Sequence, residues 1–319
     1  MGEIVMGNVQ TEGIEEDSST NISATEKMEA KLNNNACTTV DCKFIVGENL
    51  GVPKTIFGQK LVFGLYSEVF ESMFSGDFLE AKLTEIPLPD DDPNTFRNLR
   101  IILYNIRDAR TEIAELNLSD TISLFKLCDK YMFTRIKKFC ADHLKTFLGT
   151  AGNDQLINMF AVAVEFPNQE LLDEIKKKLT TAQYPINEAI YDLNPITFLK
   201  YIEFKVENNY SDHLLIFNAI EKYLTCNNLI PQQLLKSKKT EQTSTKLAYG
   251  QENVVFLSEE RLMELLEKLL SFVNFARINI KGFLSGPGVS ILLTCEQKYQ
   301  ILSQLCADTK PSSIRLYEN

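Results

Sequence analysis

At 319 residues and a formal net charge of −10 at pH 7, the chain can bury two separate cores and lacks the clustered Lys and Arg that general nucleic-acid binding needs. Seven cysteines, an odd number spread from Cys37 to Cys306, read as reduced core thiols of a cytoplasmic or nuclear protein. Neither Cys37 with Cys42 nor Cys128 with Cys140 has a second Cys or His pair at zinc spacing, so no metal and no cofactor are expected. The chain shows no run of eighteen apolar residues and no apolar signal core, and Met6 breaks the myristoylation pattern, so no membrane partner is expected. The sequons at Asn21, Asn117 and Asn209 then read as chance matches.

Residues 1–36 are rich in Glu, Asn, Ser and Thr and read as a disordered tail, with Lys27 to Leu32 able to form one short helix edged by Met28 and Leu32. Asp41 to Gly47 alternates as a half-buried strand, and Thr55 to Phe57 pairs with it as a hairpin. Gln59 to Glu80 carries apolar residues at helical spacing, Leu61, Leu65, Val69, Phe70, Met73 and Phe74, with a break expected at Gly64 and a fresh N-cap at Ser67. The second helix is expected to end at Gly76, leaving Phe78-Leu79-Glu80 in a loop. Two prolines make Glu85 to Pro89 an edge strand. In the run Asp90-Asp91-Asp92-Pro93, a cap at Asp92 with Pro93 in the first turn explains the acidic cluster better than a metal site does.

The helix so opened carries Phe96, Leu99, Ile102, Leu103 and Ile106, and a polar link of about a dozen residues follows Arg107. Ser119 is expected to cap a helix through Leu124, Leu127, Cys128 and Tyr131, followed by another over Arg135 to Leu148 that places His143 on its apolar face against a backbone partner. From Asn153 the pattern is helical nearly throughout: Leu156 to Val164, Leu171 to Leu179, a helix from Pro195 with Ile196, Leu199 and Ile202 inward, one capped at Ser211-Asp212, and one over Glu259 to Leu270. Residues 236–256 break it as a polar, mobile insertion. No P-loop, dinucleotide fingerprint or nucleophile elbow is present, and two histidines, His143 and His213, leave little room for a triad, so an enzyme is not expected.

The stretch around Lys60-Leu61, Ser67-x-Val69-Phe70 and Met73-Phe74 resembles the BTB/POZ domain, with Gln59 where the family usually has histidine. The helical half resembles the BACK domain, and Phe272 to Arg277 followed by Gly286-Pro287 to Leu293 looks like the end of BACK in a BTB subfamily of cullin-3 adaptors that continues into a PHR domain; with the sequence stopping at Asn319, that domain is expected to be missing. The resemblance implies an α+β BTB/POZ domain over 37–149 followed by an all-α BACK domain over 150–310, with a C-terminal tail over 311–319. It also implies homodimerisation through Asp41, Leu61 and Leu65, a cullin-3 surface at Phe78, Leu79, Glu80 and Tyr104, and the role of substrate-receptor adaptor in a ubiquitin ligase for a substrate protein not named by the sequence. The competing expectation is a non-ligase scaffold that self-associates through the same domain.

Overall fold

A computed structural model of the chain describes residues 40–76, 78–181, 186–208, 210–236 and 258–308. The expected N-terminal tail and its short helix, Cys37, the insertion from 237 onward and the C-terminal tail lie outside the described residues. The rest forms two compact units, one reaching up to Glu115 and including Lys130–Ile136, the other made of Leu116–Asp129 and Lys137 onward.

The first unit is built on a three-stranded sheet ordered β2-β1-β3, with β1 Cys42–Val46, β2 Lys54–Gly58 and β3 Glu85–Leu88. β1 runs antiparallel to β2, Phe44 facing Ile56, and parallel to β3, Phe44 beside Ile86. The alternation read from the sequence holds: Cys42, Phe44 and Val46 are buried while Lys43 and Ile45 are half-buried. At the end of β1, Gly47 takes φ +84°, and a Cβ there would lie 2.7 Å from Pro93, so the turn needs glycine on both counts.

Helices α1 Lys60–Tyr66 and α2 Glu68–Ser75 pack onto this sheet. The break between them falls at Ser67 rather than at Gly64. Ser67 leaves the helical region (φ −139°, ψ 118°), and its Oγ accepts from Phe70 N at 3.0 Å while donating to the Tyr131 carbonyl at 2.5 Å. Gly64 stays inside α1, where a Cβ would come within 3.4 Å of the Glu71 backbone, so it lets the two helices approach closely.

The core is aromatic: Phe44, Phe63, Phe70, Phe96 and Phe133 are all fully buried. Phe63 stacks on Phe96 with centroids 5.6 Å apart, and Phe70 on Tyr131 at 4.8 Å, within the range where ring pairs add to the gain from burial alone. Tyr131 and Phe133 thus explain why residues 130–136 belong to this unit.

Helix α4, Pro93–Tyr104, starts as expected, Asp92 accepting from Thr95 N at 2.7 Å. The three aspartates before it have separate partners. Asp90 accepts from Asn49 at 2.6 Å; buried Asp91 accepts from the Tyr131 hydroxyl at 2.5 Å and from Lys130 at 2.6 Å. Burial, and then the hydrogen bond to Asp91, hold the Tyr131 hydroxyl well above the usual phenol range. The link after Arg107 is not irregular: it folds as α5, Ala109–Ala114, burying Ala109 and Ile113.

The second unit contains α6 Leu118–Lys130, apart from its last residue, and most of α7 Thr134–Phe147, followed by α8 Asn153–Glu165, α9 Gln169–Thr181, α10 Pro195–Glu207, α11 His213–Cys226, α12 Gln232–Lys236, α13 Glu259–Ser271, α14 Ile280–Ser285 and α15 Cys295–Asp308. Its stripes are mainly aliphatic: Leu156, Ile157, Leu171, Ile175, Leu179, Ile202, Ile216 and Ile220 are buried. Asn117, not Ser119, caps α6, its Oδ1 accepting from Asp120 N at 2.9 Å. In α10 the inward stripe is Thr197, Phe198, Tyr201 and Ile202, whereas Ile196 is 68% exposed. The N-terminal proline fixes the first turn, and Asn194 caps it through Thr197 N, which turns Ile196 outward. His143 meets a backbone partner as expected, its Nε2 lying 3.1 Å from the Leu116 carbonyl. Of the six described cysteines, Cys42, Cys128 and Cys140 are buried, but Cys226, Cys295 and Cys306 are exposed, which corrects the expectation of core thiols throughout.

Candidate interaction surface around helix α3

Between Gly76 and β3 the chain makes one turn of helix, α3 Leu79–Lys82, where a loop is expected from the sequence. Phe78 is its N-cap position, with extended backbone (φ −67°, ψ 151°) and no capping side chain. The helix buries none of its residues. Phe78 is 58% and Leu79 69% exposed, while Glu80 is half-buried. The exposed part of Phe78 is not its whole ring, since one edge lies over Gly76, where a Cβ would meet Phe78 Cδ2 at 3.0 Å. That contact restricts the ring without hiding it.

A four-residue helix cannot hold itself together in water, because nucleation fixes several dihedrals for one hydrogen bond. Lys60 supplies the missing support. Its ammonium donates to three carbonyls at the end of α3, Glu80 at 3.1 Å, Ala81 at 2.9 Å and Leu83 at 2.7 Å, and lies 5.4 Å from the centre of the Phe74 ring. A cation at the C-terminal carbonyls also meets the negative end of the helix dipole. The backbone N–H of the same residue, in the first turn of α1, donates to Asp41 Oδ1 at 2.7 Å. Asp41 therefore has a structural task at the start of α1 as well as an exposed position just before the central strand β1.

On α1, Phe63 faces the core at 0% exposure, while Leu61 and Leu65, one turn apart, are 78% and 69% exposed. The helix thus presents a second apolar stripe to solvent. Tyr104, at the C-terminal end of α4, is half-buried with its hydroxyl shut away from solvent. Burial pushes that hydroxyl up to about 12, the Gln59 backbone opposing and Cys42 adding to the shift. Cys42 is likewise pushed up to about 12, by burial first and the neighbouring Asp41 second, so its thiol stays protonated and unreactive at neutral pH. The structure accordingly groups Phe78, Leu79 and Glu80 on α3, places Leu61 and Leu65 on α1, and sets Tyr104 beside Asp41, Cys42 and Gln59.

The sheet order, the two helices meeting at Ser67 and the short α3 occupy a segment that the BTB/POZ domain family matches over residues 30–148. The chain carries a BTB/POZ domain. Beyond that domain lies a mostly helical region. The chain is similar to Kelch-like protein 7 of Rattus norvegicus, Mus musculus and Homo sapiens, each 26% identical over 148 residues, which is 46% of this chain and 24% of the relative. The chain thus spans about a quarter of the length of these relatives. Among the described residues no helix is long and apolar enough to cross a membrane.

Sequence reasoning placed Lys60 in a motif but missed what it does. The signal was present in the pairing of a helix-opening lysine with a short apolar segment some twenty residues on, yet nothing in the local pattern shows that a lysine will reach backbone carbonyls.

Proposed function

We propose that the chain is a BTB adaptor that joins cullin-3 to a substrate protein within a ubiquitin ligase, acting by binding and not by catalysis. The observation that carries this reading is the exposure of two large apolar side chains, Phe78 and Leu79, on a helix that contributes nothing to the core. Lone exposed apolar residues are ordinary, but an adjacent pair on a dedicated, anchored turn fits the anchor of a small interface. Glu80, half-buried beside them, supplies a carboxylate for the rim, and half-buried Tyr104 adds to the surface in this reading. The resemblance to BTB adaptors and the likeness to proteins named Kelch-like support the same direction.

In this reading the BTB domain also forms a homodimer across Asp41, Leu61 and Leu65, an isologous contact that covers the open stripe of α1. The helical region plays the part of a BACK domain, and the protein works in the cytoplasm or nucleus. The test is direct: purified full-length chain is mixed with the N-terminal region of cullin-3, and association is measured by calorimetry alongside light scattering. A stable complex with a dimeric chain is expected, and no measurable association by a folded chain ends the adaptor reading. The exposed Leu61 and Leu65 alone would also serve a scaffold that self-associates and recruits other proteins, and that reading predicts a dimer without cullin-3 binding.

A further inference from the structure

Within the BTB domain, one lysine connects four elements: Lys60 opens α1, bonds the start of β1 through Asp41, overhangs Phe74 of α2 and donates its ammonium to the last carbonyls of α3. We propose that Lys60 is the positioning residue of the Phe78–Leu79 surface, holding α3 in the one orientation that presents both side chains to a partner. The proposal rests on the reading of α3 as the cullin-facing surface.

No other support for α3 is as strong as this lysine. Helix α3 has no buried side chain, so apolar packing does not hold it. Its N-cap position is Phe78, with no side-chain oxygen to accept from the first amides. Within the turn, Ala81 N donates to the Phe78 carbonyl at 3.2 Å and Leu83 N to that of Glu80 at 3.3 Å, both at the long end of useful bonds. Against these stand three shorter bonds from a charged donor, which are the stronger kind. An ammonium has three N–H groups, and here all three have carbonyl partners on one turn of backbone. The other end of the residue is equally fixed, because its amide is held by the carboxylate of Asp41, the residue before β1. Lys60 does not itself lie at the exposed apolar pair; it sets where that pair stands.

The test uses the full chain and Lys60→Met, which keeps the stem and removes the donors. Amide hydrogen exchange at Ala81 and Leu83 is expected to quicken about tenfold or more, while the amides of β1 and of α4 around Phe96 stay as protected as in the parent chain. Cullin-3 affinity is expected to fall about tenfold in Lys60→Met and by clearly less than that when Phe78→Ala is already present, because Lys60 acts through the anchor and only Leu79 is then left to position. Unchanged exchange at Ala81 and Leu83, an equal rise across the whole domain, or full additivity with Phe78→Ala would each overturn the proposal. If Lys60→Met does not fold, Lys60→Arg carries the test: its planar fork cannot direct three N–H groups at these carbonyls, so α3 should exchange faster than in the parent, and equal protection overturns the proposal. Should the parent chain itself fail to bind cullin-3, the adaptor reading falls, while the exchange measurement still decides what Lys60 does.

Discussion

Helices α2 and α3 are neighbours in the chain, yet they are held in opposite ways. α2 sinks Phe70 fully into the aromatic core and is locked at its start by a buried serine that bonds in two directions. α3 buries no side chain and is held by its backbone, through one lysine from another helix. The difference teaches that an element can be ordered without joining the core, and that its apolar side chains are then available to a partner. It also means that stability and binding can be perturbed separately in this domain.

The largest effect expected is on the α2 side. Phe70→Ala removes a ring that touches Phe44, Phe63 and Tyr131, and should cost about 3–5 kcal/mol of stability, read as an early chemical-denaturation midpoint. A midpoint within error of the parent would show that α2 is not the anchor described. Next, Phe78→Ala should weaken the proposed cullin-3 complex by about 2 kcal/mol or more with stability changed by less than about 1 kcal/mol. If the variant melts early and binds normally once folded, the contrast between the two helices collapses.

Ser67→Ala removes the cap of α2 and the bond to Tyr131, and about 1–2 kcal/mol of stability should go with it. Glu80→Ala should move stability by at most about 0.5 kcal/mol, and a measurable loss of binding in that variant would place the carboxylate in the interface. The smallest effect separates the two units. Both histidines of the chain lie in the helical unit, and burial, then the charge of Arg277, holds His213 below the ordinary histidine value, while its Nδ1 accepts the Asn274 N–H at 3.1 Å. The unfolded chain therefore takes up a proton more readily than the folded one between that lowered value and about 6.5, so stability of the helical unit should fall as pH drops through this window. The first unit, which holds neither histidine, should show no histidine-linked loss there. His213→Asn, which keeps an acceptor without the titration, should flatten the slope in a pH series of thermal melts.

Much of this fold was legible from residues alone because the signals were local and chemical. Asp92-Pro93, Ser67 and the glycine at Gly47 each fix a boundary through their own backbone preference, and the strand alternation from Cys42 to Val46 needs no context. The misses have a common cause. Gly64 was read as a breaker because glycine lowers helix propensity, but tertiary contact with Glu71 overrode that cost. Asn117 displaced Ser119 as cap because both are good caps and only the chain's path decides between them. In α10, Ile202 stands inward as the period implies, but Ile196 turns outward, since proline set the first turn. In the candidate site, the Phe78-Leu79-Glu80 triplet is legible as a motif, but its anchoring is not, because a lysine reaching carbonyls twenty residues away leaves no periodic trace.

One feature of the small sheet limits how these molecules can meet. β3 is an edge strand, and its neighbour β1 receives the carbonyls of Thr84 and Leu88, so by the two-residue repeat the main-chain groups of Pro87 point outward. A proline there offers no N–H to a passing strand, and exposed Glu85 adds charge beside it. Runaway strand-to-strand stacking of the kind that seeds fibrils is thereby discouraged at this edge, so contacts between copies are steered away from the sheet and toward side chains such as Leu61 and Leu65.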